Sequence, residues 1–374
     1  MKKTRPFSQW LTLLALAISV ACSGGAPPAP TVPSASPSRS ILPLGERTLA
    51  APSPTASPTS LPSATQVPTL PTPPVHTGEG PLYEVVFSIP VGPGGVEYHG
   101  LDVMEIETTG PNALAILGDG SFVVSDSERN RLLIYSSKGQ RTATLDLSVH
   151  GILYPSGTWA AGDRILLLET SYFMRAYWLS QTGELLSSYD LPESFLPGLQ
   201  ILPGCDGEII LKYPEDLYQL VNADGQEDFH LLPEGLRCGG QSFRALGSTA
   251  WLGHALLQTS LTTGMGGLAL LQARPDGSVY LTRDDVIETQ VIRVDRTVHL
   301  IDRYGHQLGV AREPLAEQLF YVPAGLTVGP DGQVYDLIPR RQELDIVRLN
   351  FYLAMQPLRP QAKPPSLTTV QDVP

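Results

Sequence analysis

Carboxylates and aromatic side chains recur where polar, Gly- and Pro-rich sequence interrupts the apolar runs of this chain. The carboxylates are Glu97, Asp126, Glu169, Asp216, Asp284 and Asp285, and the aromatics are Tyr98, Tyr154, Tyr172, Phe173, Tyr213 and Tyr321. Such carboxylates offer negative charge to a cation or a partner, and tyrosines offer a flat apolar face with a polar tip. No spacing among them selects a reaction. The 7 His residues stand singly, outside any metal-ligand spacing such as His-x-x-x-His. There is no Gly-x-Ser-x-Gly elbow, phosphate-binding loop or dinucleotide fingerprint. Asp284-Asp285 reads as solvated loop rather than as a metal-ligand pair. The residues assign no catalytic group and no metal ligand.

These side chains need a rigid frame, and not every part of the 374-residue chain can provide one. "MKKTRPFSQWLTLLALAISVAC" opens with Lys2, Lys3 and Arg5, continues with an apolar run from Trp10 to Val20, and ends in small residues before Cys22. The run is too short to span a bilayer comfortably, so residues 1–21 read as a signal peptide. Ser19-Val20-Ala21-Cys22 resembles the bacterial lipobox, with Ser19 where Leu is commoner. The resemblance implies acylation of Cys22 and an extracytoplasmic protein of the cell envelope, anchored to a membrane through its lipid. The formal net charge is −12 and grows more negative once the basic N-terminus is removed. Such a surface repels phosphate backbones, which excludes nucleic acid as a partner.

Between Ala26 and Val75 there is no Phe, Tyr or Trp, and the only charges are Arg39, Glu46 and Arg47. Pro, Ser, Thr and Ala dominate, so the stretch cannot bury enough apolar surface to offset the entropy of ordering it. Residues 22–79 are expected to be a lipidated Cys followed by a disordered, semi-stiff linker. A Pro-rich tail is expected at 356–374.

From 80 to 355 short runs of Val, Ile, Leu and Tyr alternate with turn residues, an all-β signature. One turn type recurs as "GDGSFVV", "AGDRILLL", "GCDGEIIL", "PDGSVYL" and "PDGQVYDL", and a second as "SSKGQR", "SQTGEL", "NADGQE" and "DRYGHQ". Asp119, Asp163 and Asp206 set a period of about 43 residues, which four short strands and their turns fill; that is one propeller blade. The units read as blades at 111–148, 150–192, 197–233, 267–313 and 322–352. A short unit at 234–260 reads either as a reduced fourth blade or as an insertion in a five-bladed ring. The last blade lacks an outer strand, and "LYEVVFSI" (82–89) is left over. Placing it there closes the ring and removes an exposed edge.

"GPNALAILGDGSFVVSDSERNRLLIYSSKGQR" resembles an NHL repeat, with Asn130-Arg131-Leu132 at the diagnostic triplet and Asp126 before it. This implies a six-bladed propeller of the NHL or TolB-like kind, in which Asp126 and Arg131 commonly tie a loop to its neighbour. The lipobox, stalk and degenerate propeller together resemble uncharacterised bacterial envelope lipoproteins. Cys205 and Cys238 fall in equivalent turns of adjacent blades, and with Cys22 acylated they are the two remaining thiols. A disulfide between them is therefore expected.

In such a ring the second-to-third-strand loops and the connections between blades share one face, and the tight hairpins share the other. The loop face collects the aromatic and acidic pieces. The candidate ligand-binding residues are Glu97, Tyr98, Asp126, Arg131, Tyr154, Glu169, Tyr172, Tyr213, Asp284 and Tyr321. The reading is a binding or scaffold module for a protein or glycan at the cell envelope, with no cofactor. The alternative is a divalent-metal hydrolase, because related propellers include lactonases. That reading would place Ca or another divalent ion in the central channel and would recruit Glu97 and Asn112.

Overall fold

A computed structural model describes residues 71–354, apart from 104–105, 171–172, 192–199, 206–207, 214–215, 223–225, 254 and 291, and leaves the side chains of Pro203 and Tyr213 undescribed. The signal peptide, Cys22, the linker up to residue 70 and the tail at 356–374 lie outside the described residues. The fold is all-β, 55% strand and 3% helix, and its sheets form a six-bladed propeller.

Blade 1 comprises Ala113–Ile116, Phe122–Asp126, Arg131–Tyr135 and Arg141–Asp146, paired in sequence order from the inside out. Its middle strands alternate between two neighbours because successive side chains point to opposite faces. Val124 and Leu133 pack toward blade 6 with Leu337 and Ile346. Val123, Leu132 and Ile134 pack toward blade 2 with Ile165 and Leu167. Each such buried Leu, Ile or Val contributes about 1.5–3 kcal/mol, so the core lies between the blades. Blades 2 and 3 repeat the arrangement over Gly157–Asp190 and Gln200–Leu231.

The short unit is a true fourth blade: Leu236–Cys238, Gln241–Leu246, Thr249–Leu252 and Ala255–Gln258 form a four-stranded sheet of their own. Cys238 ends its inner strand and is disulfide-bonded to Cys205 in the first turn of blade 3, with the Cα atoms 5.5 Å apart.

Blade 6 has Thr327–Val328, Val334–Pro339 and Glu343–Leu349, and Tyr83–Pro90 supplies its outer strand. The register runs from Tyr83 opposite Leu349 to Pro90 opposite Glu343. Ile89 on this strand is fully buried, and the Ser88 hydroxyl donates to Asp345 at 2.6 Å. The first and last parts of the domain thus share one sheet, and the ring is closed.

Residues 71–79, assigned to the linker on composition, lie against the propeller. Blade 5 consists of Gly266–Ala273, Val279–Glu288, Arg293–Ile301 and Gln307–Arg312. Its outer edge is extended by Phe351–Tyr352, and Val75–His76 pairs in parallel onto that. The buried Arg274 donates to the Pro71 carbonyl at 2.6 Å. A Cβ at Gly332 would sit 2.3 Å from the same oxygen, so glycine is required there. Composition misled because the contacts use backbone, which Pro- and Thr-rich sequence supplies as well as any other.

Two further differences concern the loop face. In blades 3 and 4 the second and third strands are joined by two-residue links, Tyr213 to Asp216 and Leu246 to Thr249, so these two blades bring no long loop of that kind to the face. Asp284 and Asp285 are not in a solvated loop. They sit inside the strand Val279–Glu288, which is longer than its counterparts, and Asp285 is buried.

Candidate functional site

Asp126 ends the second strand of blade 1 and is fully buried. It accepts hydrogen bonds from the Glu97 backbone N–H at 3.1 Å and from Arg131 Nε at 2.7 Å, and Arg131 Nη2 donates to the Gly95 carbonyl at 2.6 Å. Burial pushes the Asp126 carboxyl above its usual range, and Arg131 works against that shift. The pair fastens the long connection from blade 6 to blade 1. The Glu97 carboxylate pairs with Arg129. Tyr98 is buried: its hydroxyl donates to the Glu343 carbonyl at 3.2 Å and its ring meets Phe320 edge-on, centroids 5.0 Å apart. Desolvation raises the pKa of its phenol, so the hydroxyl stays protonated. Tyr98 is core, not a contact surface.

Glu169 holds the matching place in blade 2, fully buried at the end of the second strand. It accepts from the Phe173 N–H at 3.2 Å and from the Tyr177 hydroxyl at 3.5 Å. Asp285 follows the same pattern, accepting from the Thr262 N–H and hydroxyl, each at 2.8 Å, and from Arg283 at 2.9 Å. The buried acids of the loop face are thus largely spent on holding loops.

At the corner between blades 5 and 6 the sequence candidates Asp284 and Tyr321 come together through a residue the sequence reading missed, Arg296. Arg296 stands opposite Asp284 in the strand register and donates to both its oxygens, at 2.6 and 2.9 Å. It also donates to Glu313 and to the Tyr321 hydroxyl, both at 3.3 Å, and its guanidinium carbon lies 5.5 Å from the Tyr321 ring centroid. Burial opposes the charge on Arg296, but the bonds to Asp284 and the nearby carboxylates outweigh it and hold it protonated. Beneath lie two buried acids, Glu313 and Asp336, both reached by Gln318 Nε2, at 3.1 and 3.4 Å. Burial drives the Asp336 carboxyl well above its ordinary range, and Glu313 adds to the shift. Burial raises Glu313 too, against the pull of Arg296. The result is a braced platform with Tyr321, 53% exposed, on top.

Tyr154 is 43% exposed and Phe173 is 55% exposed, on the loops of blades 1 and 2. Tyr154 has φ +47°, and its N–H is held by Asn130 Oδ1 at 2.8 Å. Among the described residues the non-glycine positions at positive φ are Asn130, Tyr154 and Met174, and all three fall on the loop face. Such conformations cost of order 1–3 kcal/mol and persist where surrounding structure fixes them, often at binding sites. Tyr172 lies outside the described residues, and of Tyr213 only the backbone is described.

Glu97 is engaged by Arg129, and the Asn112 Nδ2 donates to the Pro155 carbonyl, with Oδ1 left unbonded. Among the described residues no group of three or more His, Cys, Asp or Glu is placed to hold a metal.

No family model matches the chain, and no curated protein matches it. Solved structures similar to it include a streptogramin B lyase, at 15% identity and TM-score 0.39, covering 66% of this chain and 96% of that one. A protein of Agrobacterium tumefaciens provisionally assigned as TolB has 16% identity and TM-score 0.39, covering 64% and 90%. A protein provisionally assigned as a gluconolactonase has 14% identity and TM-score 0.39, covering 70% and 95%.

Proposed function

We propose that this protein is a binding or scaffold module of the cell envelope, tethered through acylated Cys22 and presenting the loop face of its propeller to a protein or glycan. One observation carries the reading. Half-exposed aromatic residues on that face are held rigidly, Tyr154 in a left-handed conformation by Asn130 and Tyr321 against the Arg296 platform. Rigid aromatic side chains give contact area at low entropic cost, which suits recognition. Glu97, the carboxylate that the metal-hydrolase alternative would recruit, is instead paired with Arg129. The NHL-like unit at 111–148 contributes loop ties to this design rather than ligand contacts.

The tether is tested by Cys22→Ala. The parent is expected in the membrane fraction and the variant in the soluble fraction; equal retention of both would overturn the lipid anchor. Recognition is tested by capture of envelope components on the full chain, with the exposed loop-face residues Tyr321 and Phe173 replaced by Ala as the comparison.

A further inference from the structure

The outer strand of a blade is a free sheet edge, and such edges pair with other strands unless they are covered or charged. Four blades carry charge on that strand: Arg141 and Asp146 in blade 1, Asp190 in blade 2, Glu227 and Asp228 in blade 3, and Glu84 in blade 6. Blade 5 is covered, because Phe351–Tyr352 and Val75–His76 add to it. Blade 4 has neither protection. Its outer strand Ala255–Gln258 reads ALLQ, with no charge and no proline.

The same edge is apolar on one face. Leu256 stands opposite Trp251 in the register, and they are 54% and 41% exposed. The Thr259 N–H bonds the Ser248 carbonyl at 2.9 Å, which fixes the alternation along this hairpin. The backbone groups of Leu256 and Gln258 therefore point away from the sheet.

The chain itself leaves the described structure close by. Phe351–Tyr352 runs antiparallel to Gln307–Arg312, so the strand direction up to Ala354 points toward the turn at 302–306. Gly305 in that turn touches the first residue of the bare edge: a Cβ there would lie 2.8 Å from Ala255 Cβ. The sequence beyond begins with a Pro-rich spacer to Pro365 and then offers the Pro-free run "SLTTVQDV", 366–373. Its β-branched and apolar residues suit a strand. A spacer of this kind reaches on the order of 30 Å when extended, at about 3.1 Å per residue.

We propose that residues 366–373 add to the outer edge of blade 4 as a fifth strand, covering Leu256 and Trp251 just as blade 5 is covered by other terminal segments. The backbone of Leu256 and Gln258 provides the ladder, and one tail side chain stands beside Leu256. The test is hydrogen exchange of the peptide spanning 255–258, measured on the full chain, on a chain ending at Ala354, and on full-length Val370→Pro. Proline in the tail breaks the added ladder without touching the propeller. Exchange in the full chain is expected to be slower by about tenfold or more than in the other two. Equal exchange in all three overturns the proposal. So does protection that rises with protein concentration, which would assign the edge to a second copy.

Discussion

Arg296 and Asp284 stand directly opposite each other in neighbouring strands of blade 5 and share two hydrogen bonds, 2.6 and 2.9 Å long. The same guanidinium reaches Glu313 and the Tyr321 hydroxyl. Removing it leaves Asp284 and the buried Glu313 without their cation. Breaking a buried ion pair from one side costs about 3–5 kcal/mol, and Asp284 is partly screened by solvent. Arg296→Gln should therefore lower stability by about 2–3 kcal/mol, read from the midpoint of urea unfolding. Asp284→Asn should cost less, because the arginine keeps Glu313. A midpoint for Arg296→Gln that matches the parent would remove the brace from the account.

The two acids below the platform set a pH dependence. Burial raises Asp336 well above its ordinary range, with Glu313 adding to it, and burial raises Glu313 as well. The folded protein keeps protons that the unfolded chain releases above about pH 4. This contribution is complete below the unfolded value and is lost as pH climbs through the folded one. Unfolding free energy should fall as pH rises above the ordinary carboxylate range. Asp336→Asn cannot ionise and keeps an oxygen for the Leu337 N–H, which donates to Asp336 at 2.8 Å. Its stability should decline less steeply with pH; parallel curves for parent and variant would contradict the assignment.

N-terminal truncation should show a graded response. A chain starting at Pro71 keeps the bond to Arg274 and both added strands, so its thermal transition should match that of the full protein. Starting at Leu82 removes Val75–His76 and should lower the transition by a few degrees, the shift expected for about 1 kcal/mol in a domain this large. Starting at Val91 removes the whole outer strand of blade 6, including buried Ile89, and should give aggregation or loss of cooperativity. Normal folding of that last chain would refute ring closure by this strand.

The periodic features were legible in the sequence. Asp-Gly turns at a fixed interval gave the blades, the leftover strand gave the closure, and aligned turns paired Cys205 with Cys238. The missing information lay in register. Asp284-Asp285 looks like a loop until Arg296 is known to stand across from the first and Arg283 to bond the second, and neither follows from spacing along one strand. Tyr98 looked like a surface aromatic because its partners, Phe320 and the Glu343 carbonyl, are more than 200 residues away in the chain. Arg296, Gln318 and Asp336 carry no local signal at all. Their roles exist only where blades 5 and 6 meet.

The central claim is that the loop face recognises an envelope partner. It is tested by comparing the parent, the Tyr321→Ala/Phe173→Ala double variant and Tyr304→Ala for capture of solubilised envelope components on the full chain. Tyr304 is a matched control, 72% exposed in a hairpin turn on the opposite face. Capture by the double variant should fall by about tenfold or more, as expected for loss of aromatic anchors worth upwards of 1 kcal/mol each, while Tyr304→Ala captures as the parent does. Undiminished capture by the double variant, or a loss confined to Tyr304→Ala, would contradict a recognition surface on the loop face.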